Sequence, residues 1–298
     1  MDVLVSGSTG LIGTALVSGL EARGHRVVRL VRSGGGGQDA VRWDPSAGTI
    51  EAGRLEGIDA VVHLAGESIA DGRWTEEKKA RIVESRRGGT RLLAEALAGL
   101  STPPSVMVSA SAIGYYGDRG NELLTETSGP GDLFLSGACV EWEKAADPAR
   151  EAGIRVVHPR IGIVLTLEGG ALRQTLPIFK LGLGGKIGSG QQYWSWVSLE
   201  DVVDTLIYSV ESDDLEGPVN VVAPDPPTNA EYTKVLGRVL NRPTVFPLPA
   251  AAARLMLGQV ADELLLPSAR VEPARLKEAG YEFWHRDLEG AFRYLLRG

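Results

Sequence analysis

Three glycines in Gly7-Ser8-Thr9-Gly10-Leu11-Ile12-Gly13 separate a short apolar run from an amphipathic one. Glycine at the first place permits a tight turn, and at the second lets the backbone close on a pyrophosphate. At the third it lets a helix pack against a strand. The helix N-terminus behind them offers unpaired N–H groups and the positive end of a dipole to an anion. A merely structural turn could carry the same glycines, but the strand–turn–helix context is what a dinucleotide loop requires. About twenty residues further on, a site for NAD would place an acid against the ribose 2′-hydroxyl. Val31-Arg32-Ser33 stands there instead. A guanidinium and a hydroxyl suit a 2′-phosphate, so the sequence predicts NADP (NADPH) as cofactor.

These residues need strands and helices to hold them. "VLVS" reads as a buried strand and "LIGTALVSGLEARG" as the helix after it,. "HRVVRLVR", "GIDAVVHLAG", "PSVMVSASA" and "IRVVHPRIGIVL" read as further strands. "SGGGGQ" reads as a flexible loop, and "EEKKARIVESRRGGTRLLAEALAG" and "GACVEWEKAADPAREAG" as helices,. Strands alternating with helices of this length predict an α/β fold with a doubly wound parallel sheet. The alternation loosens after about Leu167, where Gly- and Pro-rich segments begin. The expected organisation is a Rossmann domain over residues 1–167, its sheet completed by about 217–224. A smaller substrate-side region follows over 168–298, with a small C-terminal domain from about 245.

Bulk chemistry excludes several classes. A net charge of −7 with no basic block gives no footprint for nucleic acid,. The one cysteine, Cys139, excludes an intrachain disulfide and a cysteine-based metal site,. The four histidines, His25, His63, His158 and His285, have no metal-binding spacing, and no metal is expected. No apolar run approaches the ~18 residues that a membrane helix needs. A strand so close to the first residue leaves no room for a leader peptide. A cytoplasmic protein acting on a small molecule is the expectation, and a homodimer is compatible with it.

Several longer stretches go further: "SGSTGLIGTAL", "DAVVHLAGE", "RWTEEKKARIVESRRGGTRLL", "SASAIGYYGD", "EWEKAA", "LGLGGKIGSGQQYWSWV" and "GPVNVVAPDPPTNAEYTKVLGRVLNRP". With these the chain resembles the extended short-chain dehydrogenase/reductase superfamily, and within it the atypical branch of epimerase family proteins, similar to nucleotide-sugar epimerases. The resemblance runs nearly end to end. It implies that Leu64, Ala65 and Gly66 pass beside the cofactor, with Glu67 opening the next loop. It implies further cofactor contacts from Ser85, Arg86, Ser109 and Arg160, with Ser111 near the nicotinamide ribose.

Ordinary members of the superfamily use a Tyr as general acid and base, with a Lys one helical turn later that lowers its pKa and holds the ribose. Aligned on Glu143, the Tyr place holds Leu135 and the Lys place Cys139. No Tyr in this chain has a Lys four residues after it. Tyr115 and Tyr116 are the substitute acids, with Ser111 as hydrogen-bond partner; either ring could instead stack on the cofactor or fill the rim. Cys139 could serve as a thiol, although a free Cys is more often a small buried hydrophobe. Tyr193, Trp194 and Trp196 could floor a substrate pocket or pack within a hairpin. In epimerase-like relatives a His precedes the Asp of "SLED"; here Ser198 stands there, with Asp201 retained. The Asn expected after the fifth-strand Arg is absent too, which puts nucleotide-sugar binding in doubt. Two functions follow: an NADP-dependent oxidoreductase or epimerase on a small polar or sugar-like substrate, or a non-catalytic NADP(H) sensor acting through a protein partner.

Overall fold

A computed structural model describes residues 1–33, 37, 39–70 and 72–297. Most of the glycine run of the expected flexible loop lies outside the described residues. The elements, in chain order, begin with β1 (Asp2–Ser6), α1 (Leu11–Ala22), β2 (Arg26–Val31), β3 (Ala40–Asp44), β4 (Thr49–Ile50) and β5 (Ala60–His63). α2 (Glu76–Ala98), β6 (Val106–Ser109), β7 (Ser111–Ala112), β8 (Leu123–Leu124), α3 (Phe134–Lys144), α4 (Asp147–Glu151) and β9 (Arg155–Ile161) come next. β10 (Ile163–Leu165), α5 (Gly170–Lys180), β11 (Trp196–Ser198), α6 (Leu199–Glu211) and β12 (Gly217–Val221) follow. The chain closes with α7 (Asn229–Leu240), α8 (Ala250–Leu257), β13 (Arg270–Val271), α9 (Ala274–Glu278) and α10 (Leu288–Leu295).

The main sheet runs β12-β9-β6-β5-β1-β2-β3-β4 and is parallel except for the β3–β4 edge. β1 pairs on both sides, Ser6 opposite Leu30 on β2 and opposite His63 on β5. Strand order reverses there, and a crevice opens outside the carboxyl ends of the strands at such a point. Helices cover both faces, which is why the central strands read as unbroken apolar runs. On one face Leu16, Val17 and Leu20 of α1 meet Val202, Leu206 and Ile207 of α6 over Val3, Val5 and Val62. On the other, Leu93, Ala94 and Leu97 of α2 and Ala149 of α4 cover Leu4, Val61 and Met107. Each such fully buried Leu or Ile contributes about 1.5–3 kcal/mol. A third core joins Leu172, Trp194, Trp196, Tyr232 and Phe292 in the second half of the chain.

Three details differ from the sequence reading. "AVRWD" forms β3, whose short alternation buries only Val41 and Trp43 and is masked by the turn-forming residues around it. The predicted helix over residues 137–153 starts earlier, at Phe134, and divides into α3 and α4, with Pro148 in the first turn of α4. Proline fits there because a first-turn N–H has no helical partner. The predicted fifth strand also divides, at Gly162, where the chain leaves the main sheet and β10 pairs in parallel with β11. A Cβ at Gly162 would stand 2.6 Å from the Ser195 carbonyl oxygen. Gly162→Ala is therefore expected to cost about 1–3 kcal/mol by overpacking, read as a lower urea midpoint with an unchanged slope.

Candidate functional site

The glycine loop is as tight as its spacing predicts. Gly7 has a φ of +67°, and a Cβ there would lie 2.9 Å from the Leu64 carbonyl carbon. A Cβ on Gly13 would come within 2.1 Å of the Gly7 carbonyl oxygen. The start of α1 is thus pressed onto the end of β1. Gly10 is its N-cap, no side chain caps it, and its first turn holds no acid. The first-turn N–H groups keep the capacity for an anion that helix ends offer. Val31 ends β2 beside this loop, with Arg32 and Ser33 exposed directly after it. Among the described residues no carboxylate pairs with Arg32.

Ser6 fixes the opposite wall. Its Oγ accepts from the N–H groups of Leu64 (3.1 Å) and Ala65 (3.2 Å), and lies 2.7 Å from His63 Nδ1. A hydroxyl has two lone pairs and one proton. With both pairs engaged, Ser6 donates its proton to His63 Nδ1, so the imidazole is neutral and carries its hydrogen on Nε2. Burial agrees, pushing His63 down to about 4. Beyond Gly66, the backbone N–H of Glu67 donates to Ser85 Oγ (2.9 Å), and Glu67 accepts from Lys78 (2.8 Å), whose bond holds its carboxyl below the usual range. Arg86 donates from Nη1 to the carbonyls of Glu67 (3.0 Å) and Ile82 (3.1 Å), with its guanidinium 4.8 Å from the Trp142 ring.

The three candidate acid–base residues meet in one cluster at the ends of β7 and β9. Ser111 donates to Glu143 (2.7 Å). Arg160 grips the same carboxylate twice, at 2.8 Å from Nε and 2.8 Å from Nη2, and donates from Nη1 to the Tyr116 hydroxyl at 3.0 Å. Tyr116 passes its own proton to Asn220 Oδ1 (2.7 Å), with the Thr125 carbonyl at 3.0 Å. Tyr116 is fully buried and Arg160 only 3% exposed. Both therefore lie closed inside the protein. Burial by itself would lower the Arg160 guanidinium, but the Glu143 bonds and charge outweigh it and raise it. Burial raises Tyr116 against the opposing pull of Arg160. Tyr115 differs: its ring packs against the guanidinium, 3.4 Å from Cζ to centroid, the side chain is half-buried, and its hydroxyl makes no bond to the described residues.

Leu135, Cys139 and Glu143 share one face of α3,. Leu135 packs against Gly114, Cys139 Sγ lies 3.8 Å from the Ala112 carbonyl oxygen, and Glu143 meets Ser111. Burial, then the Glu143 charge, pushes the Cys139 thiol up to about 11, far from a reactive thiolate. Ser109 is wholly buried with its Oγ unpartnered among the described residues. Trp194 and Trp196 belong to the third core; Trp196 begins β11, which pairs in parallel with β10, and Trp194 bridges to Ala269, so the segment is not a hairpin. Ser198 caps α6, donating to Asp201 (2.6 Å), which also accepts from the backbone of Trp284 and His285; this acid anchors the C-terminal segment. The residues that sequence reasoning left without a role were Glu143, Asn220 and Glu263. Glu263, from near the chain end, accepts the N–H groups of Phe134 (3.1 Å) and Leu135 (3.0 Å) and so caps α3. The acid four residues after Cys139 was the available signal for the first; the other two contacts are too distant in sequence to show one.

A nucleotide-binding Rossmann crevice of the short-chain dehydrogenase/reductase kind is the class that this fold and loop define. Residues 3–133 match the model of the NAD dependent epimerase/dehydratase family, and residues 248–295 match a domain of unknown function. Epimerase family protein Mb2239 of Mycobacterium bovis is 42% identical over 98% of this chain and 96% of its own length. Human epimerase family protein SDR39U1 is 37% identical over 99% of this chain and all of its own. A crystal structure of the human protein with NADPH superposes with a TM-score of 0.90 at 35% identity, covering 100% of both chains. The chain belongs to the epimerase family proteins of the extended short-chain dehydrogenase/reductase type. UDP-sugar epimerase structures at under 20% identity share the fold. Among the described residues no helix is long and apolar enough to cross a membrane, and no cluster of metal-binding side chains occurs.

Two stability predictions follow from this geometry. Glu143→Ala leaves the buried Arg160 charge without its partner and is expected to cost about 3–5 kcal/mol in urea unfolding. Removing both charges, as Glu143→Leu with Arg160→Met, should cost less than the single change. The second concerns pH. Because His63 is neutral in the fold down to about 4, against an ordinary value near 6.5 when unfolded, the unfolded state takes up a proton first as pH falls. Stability is then lost between about pH 6.5 and 4, by roughly 3 kcal/mol for His63. His158, also held at about 4 chiefly by burial, adds to the same slope. His63→Gln should flatten the acid limb of a stability–pH curve; an unchanged limb would refute this assignment.

Proposed function

We propose that the chain binds NADPH across the crevice outside β1 and β5 and uses it on a small polar or sugar-like substrate, by reduction or by oxidation and re-reduction. The observation that carries this reading is the uncapped first turn of α1, pressed onto β1 by Gly7 and Gly13, together with exposed Arg32, which pairs with no carboxylate among the described residues. Gly7, Ser8, Thr9, Gly10, Leu11, Ile12 and Gly13 would hold the diphosphate. Val31, Arg32 and Ser33 would hold the adenosine 2′-phosphate, and Leu64, Ala65, Gly66 and Glu67 would line the other side. The NADPH in the human relative's crystal structure supports the same choice. When bound, NADPH supplies hydride.

Tyr115 is the chain's proton donor in this reading. Leu135 and Cys139 leave no proton and no cation where ordinary relatives carry Tyr and Lys, while the Tyr115 hydroxyl is uncommitted on a turn beside them. Ser111, Glu143, Arg160 and Tyr116 form the frame beneath it and hold the ring by packing. Residues 168–298 provide the substrate side. Because Asp201 and Ser198 are already engaged with each other and with residues 284–285, the substrate is not bound through them. Loss of a charge-assisted bond is worth about 1.5–3 kcal/mol. Arg32→Ala should therefore weaken NADPH roughly ten- to a hundredfold in a tryptophan-fluorescence titration, with NADH affinity unchanged. A carbonyl-substrate screen under saturating NADPH should give turnover that Tyr115→Phe abolishes without changing NADPH affinity. Turnover that persists in Tyr115→Phe would remove Tyr115 from the role.

A further inference from the structure

Two helices of the second half of the chain end against each other, and both end in the same way. At the end of α5, Gly182 takes a left-handed φ of +73°. Its N–H donates to the Phe179 carbonyl (2.9 Å), and that of Leu183 to the Ile178 carbonyl (3.1 Å). At the end of α7, Asn241 takes a φ of +53°, with its N–H on the Arg238 carbonyl (3.1 Å) and that of Arg242 on Gly237 (2.8 Å). Such a pair of bonds stops a helix and sets the residue beyond the turn against its last turn. The two ends are then tied together. Arg242 Nε donates to the Lys180 carbonyl (2.8 Å), and the Phe246 N–H to the Gly184 carbonyl (3.3 Å). A Cβ at Gly182 would meet Pro243 at 3.4 Å, and one at Gly185 would meet the Phe246 carbonyl oxygen at 2.1 Å. Residues 178–186 and 242–248 therefore form one continuous surface.

Its composition is unlike that of the chain as a whole. Ile178, Leu181, Leu183, Val245 and Phe246 all stand exposed, Leu181 to 74% and Val245 to 68%. In a chain of net charge −7, residues 169–199 carry three cations and no acid, and residues 232–261 carry four and no acid. Arg238 is paired with Glu289 (2.7 Å) and Arg254 with Asp262 (2.8 Å). Lys180, Lys234 and Arg242 are exposed and, among the described residues, have no carboxylate within ion-pair distance. Glu231, one turn before Lys234, is committed to its own capping box. A cation beside a helix C-terminus offsets the dipole there. That accounts for Arg242 on the Lys180 carbonyl and leaves the two lysine ammonium groups without a task. Between Lys234, Arg238, Arg242 and Thr244 lies a hollow of about 460 Å³. Cations around a hollow, beside exposed apolar side chains, fit a ligand with a negative head and an apolar body.

We propose that this corner docks on an anionic phospholipid bilayer. Leu181, Leu183, Val245 and Phe246 enter the boundary between headgroups and acyl chains, and Lys180, Lys234 and Arg242 meet the lipid phosphates. Leu and Phe beside lysines are the composition of a segment that lies on a membrane. Protein interfaces are instead depleted in lysine and enriched in Tyr, Trp and Arg. A second copy meeting this face across a two-fold axis would set cation against cation. Lying on a bilayer is distinct from spanning one and needs no long apolar helix. None of these residues is among those assigned to NADPH.

The test is cosedimentation of the full chain with vesicles of phosphatidylcholine alone, and of equal parts phosphatidylcholine and phosphatidylglycerol. The expected result is binding to the mixed vesicles, none to the neutral ones, and weakening as salt is raised. Lys180→Gln with Lys234→Gln should lower the partition coefficient by roughly fivefold for each cation removed. Leu181→Ser with Phe246→Ser should lower it by at least about tenfold. All four side chains are exposed, so both variants should keep the wild-type urea midpoint; should one fail to fold, the other decides. No binding to the mixed vesicles, equal binding to the neutral ones, or binding that a folded variant leaves intact would overturn the proposal. So would a wild-type dimer in sedimentation equilibrium that Leu181→Ser with Phe246→Ser dissociates, which would give the face to a second copy. Polyglutamate bound as tightly as the mixed vesicles would give it to an acidic protein. Glycerol 1-phosphate bound as tightly without vesicles would give it to a soluble phosphate ester, and either result would overturn the proposal.

Discussion

The bidentate pair between Arg160 and Glu143 ties together the elements around the candidate site. It joins β9 to α3, and through further hydrogen bonds it reaches β7 at Ser111 and, by way of Tyr116, β12 at Asn220. Four separate segments thereby share one buried charge pair, each hydrogen-bond geometry fixing the next. In a low-dielectric interior such a network is rigid when every member is satisfied and costly when one is missing. The packing of the Tyr115 ring on this guanidinium follows from it. The ring that carries the proposed proton donor rests on a surface that cannot shift without breaking three hydrogen bonds.

Much of the fold was legible in the sequence because its signals are local. The glycine spacing, the apolar strand runs and the capping sequence at the start of α7 each report on a few neighbouring residues. The helix over "NAEYTKVLGRVL" opens on a local signal of this kind, with Thr228 and Glu231 completing a capping box. What escaped was set by contacts between distant segments. β3 buries only two side chains and gives little period-two signal. The division at Gly162 depends on the Ser195 carbonyl, which nothing near Gly162 announces.

The site shows the same limit more sharply. Arg86 and Arg160 are the same residue type, and the resemblance to the family assigned both to the cofactor. Their surroundings differ by one carboxylate. Glu143 of α3 closes on Arg160, whereas Arg86 meets, among the described residues, two backbone carbonyls and the Trp142 ring. Tyr115 and Tyr116 are adjacent in the chain, yet the chain turn Ile113–Tyr116 sends one inward to Asn220 and leaves the other's hydroxyl uncommitted. Sequence reading identified the neighbourhood; only packing separates the partners within it.

The cap that Glu263 places on α3 ties that helix to a segment 129 residues further along the chain. The segment carrying both tyrosines is also bound to the far end of the chain through the pairing of β8 with β13 and through Ser268, which meets Arg119 and Asp118. The glycine loop likewise draws on a distant segment, because α1 behind it packs against Val202, Leu206 and Ile207 of α6. A fragment ending before α6 would therefore lack the support of both the glycine loop and the tyrosine turn.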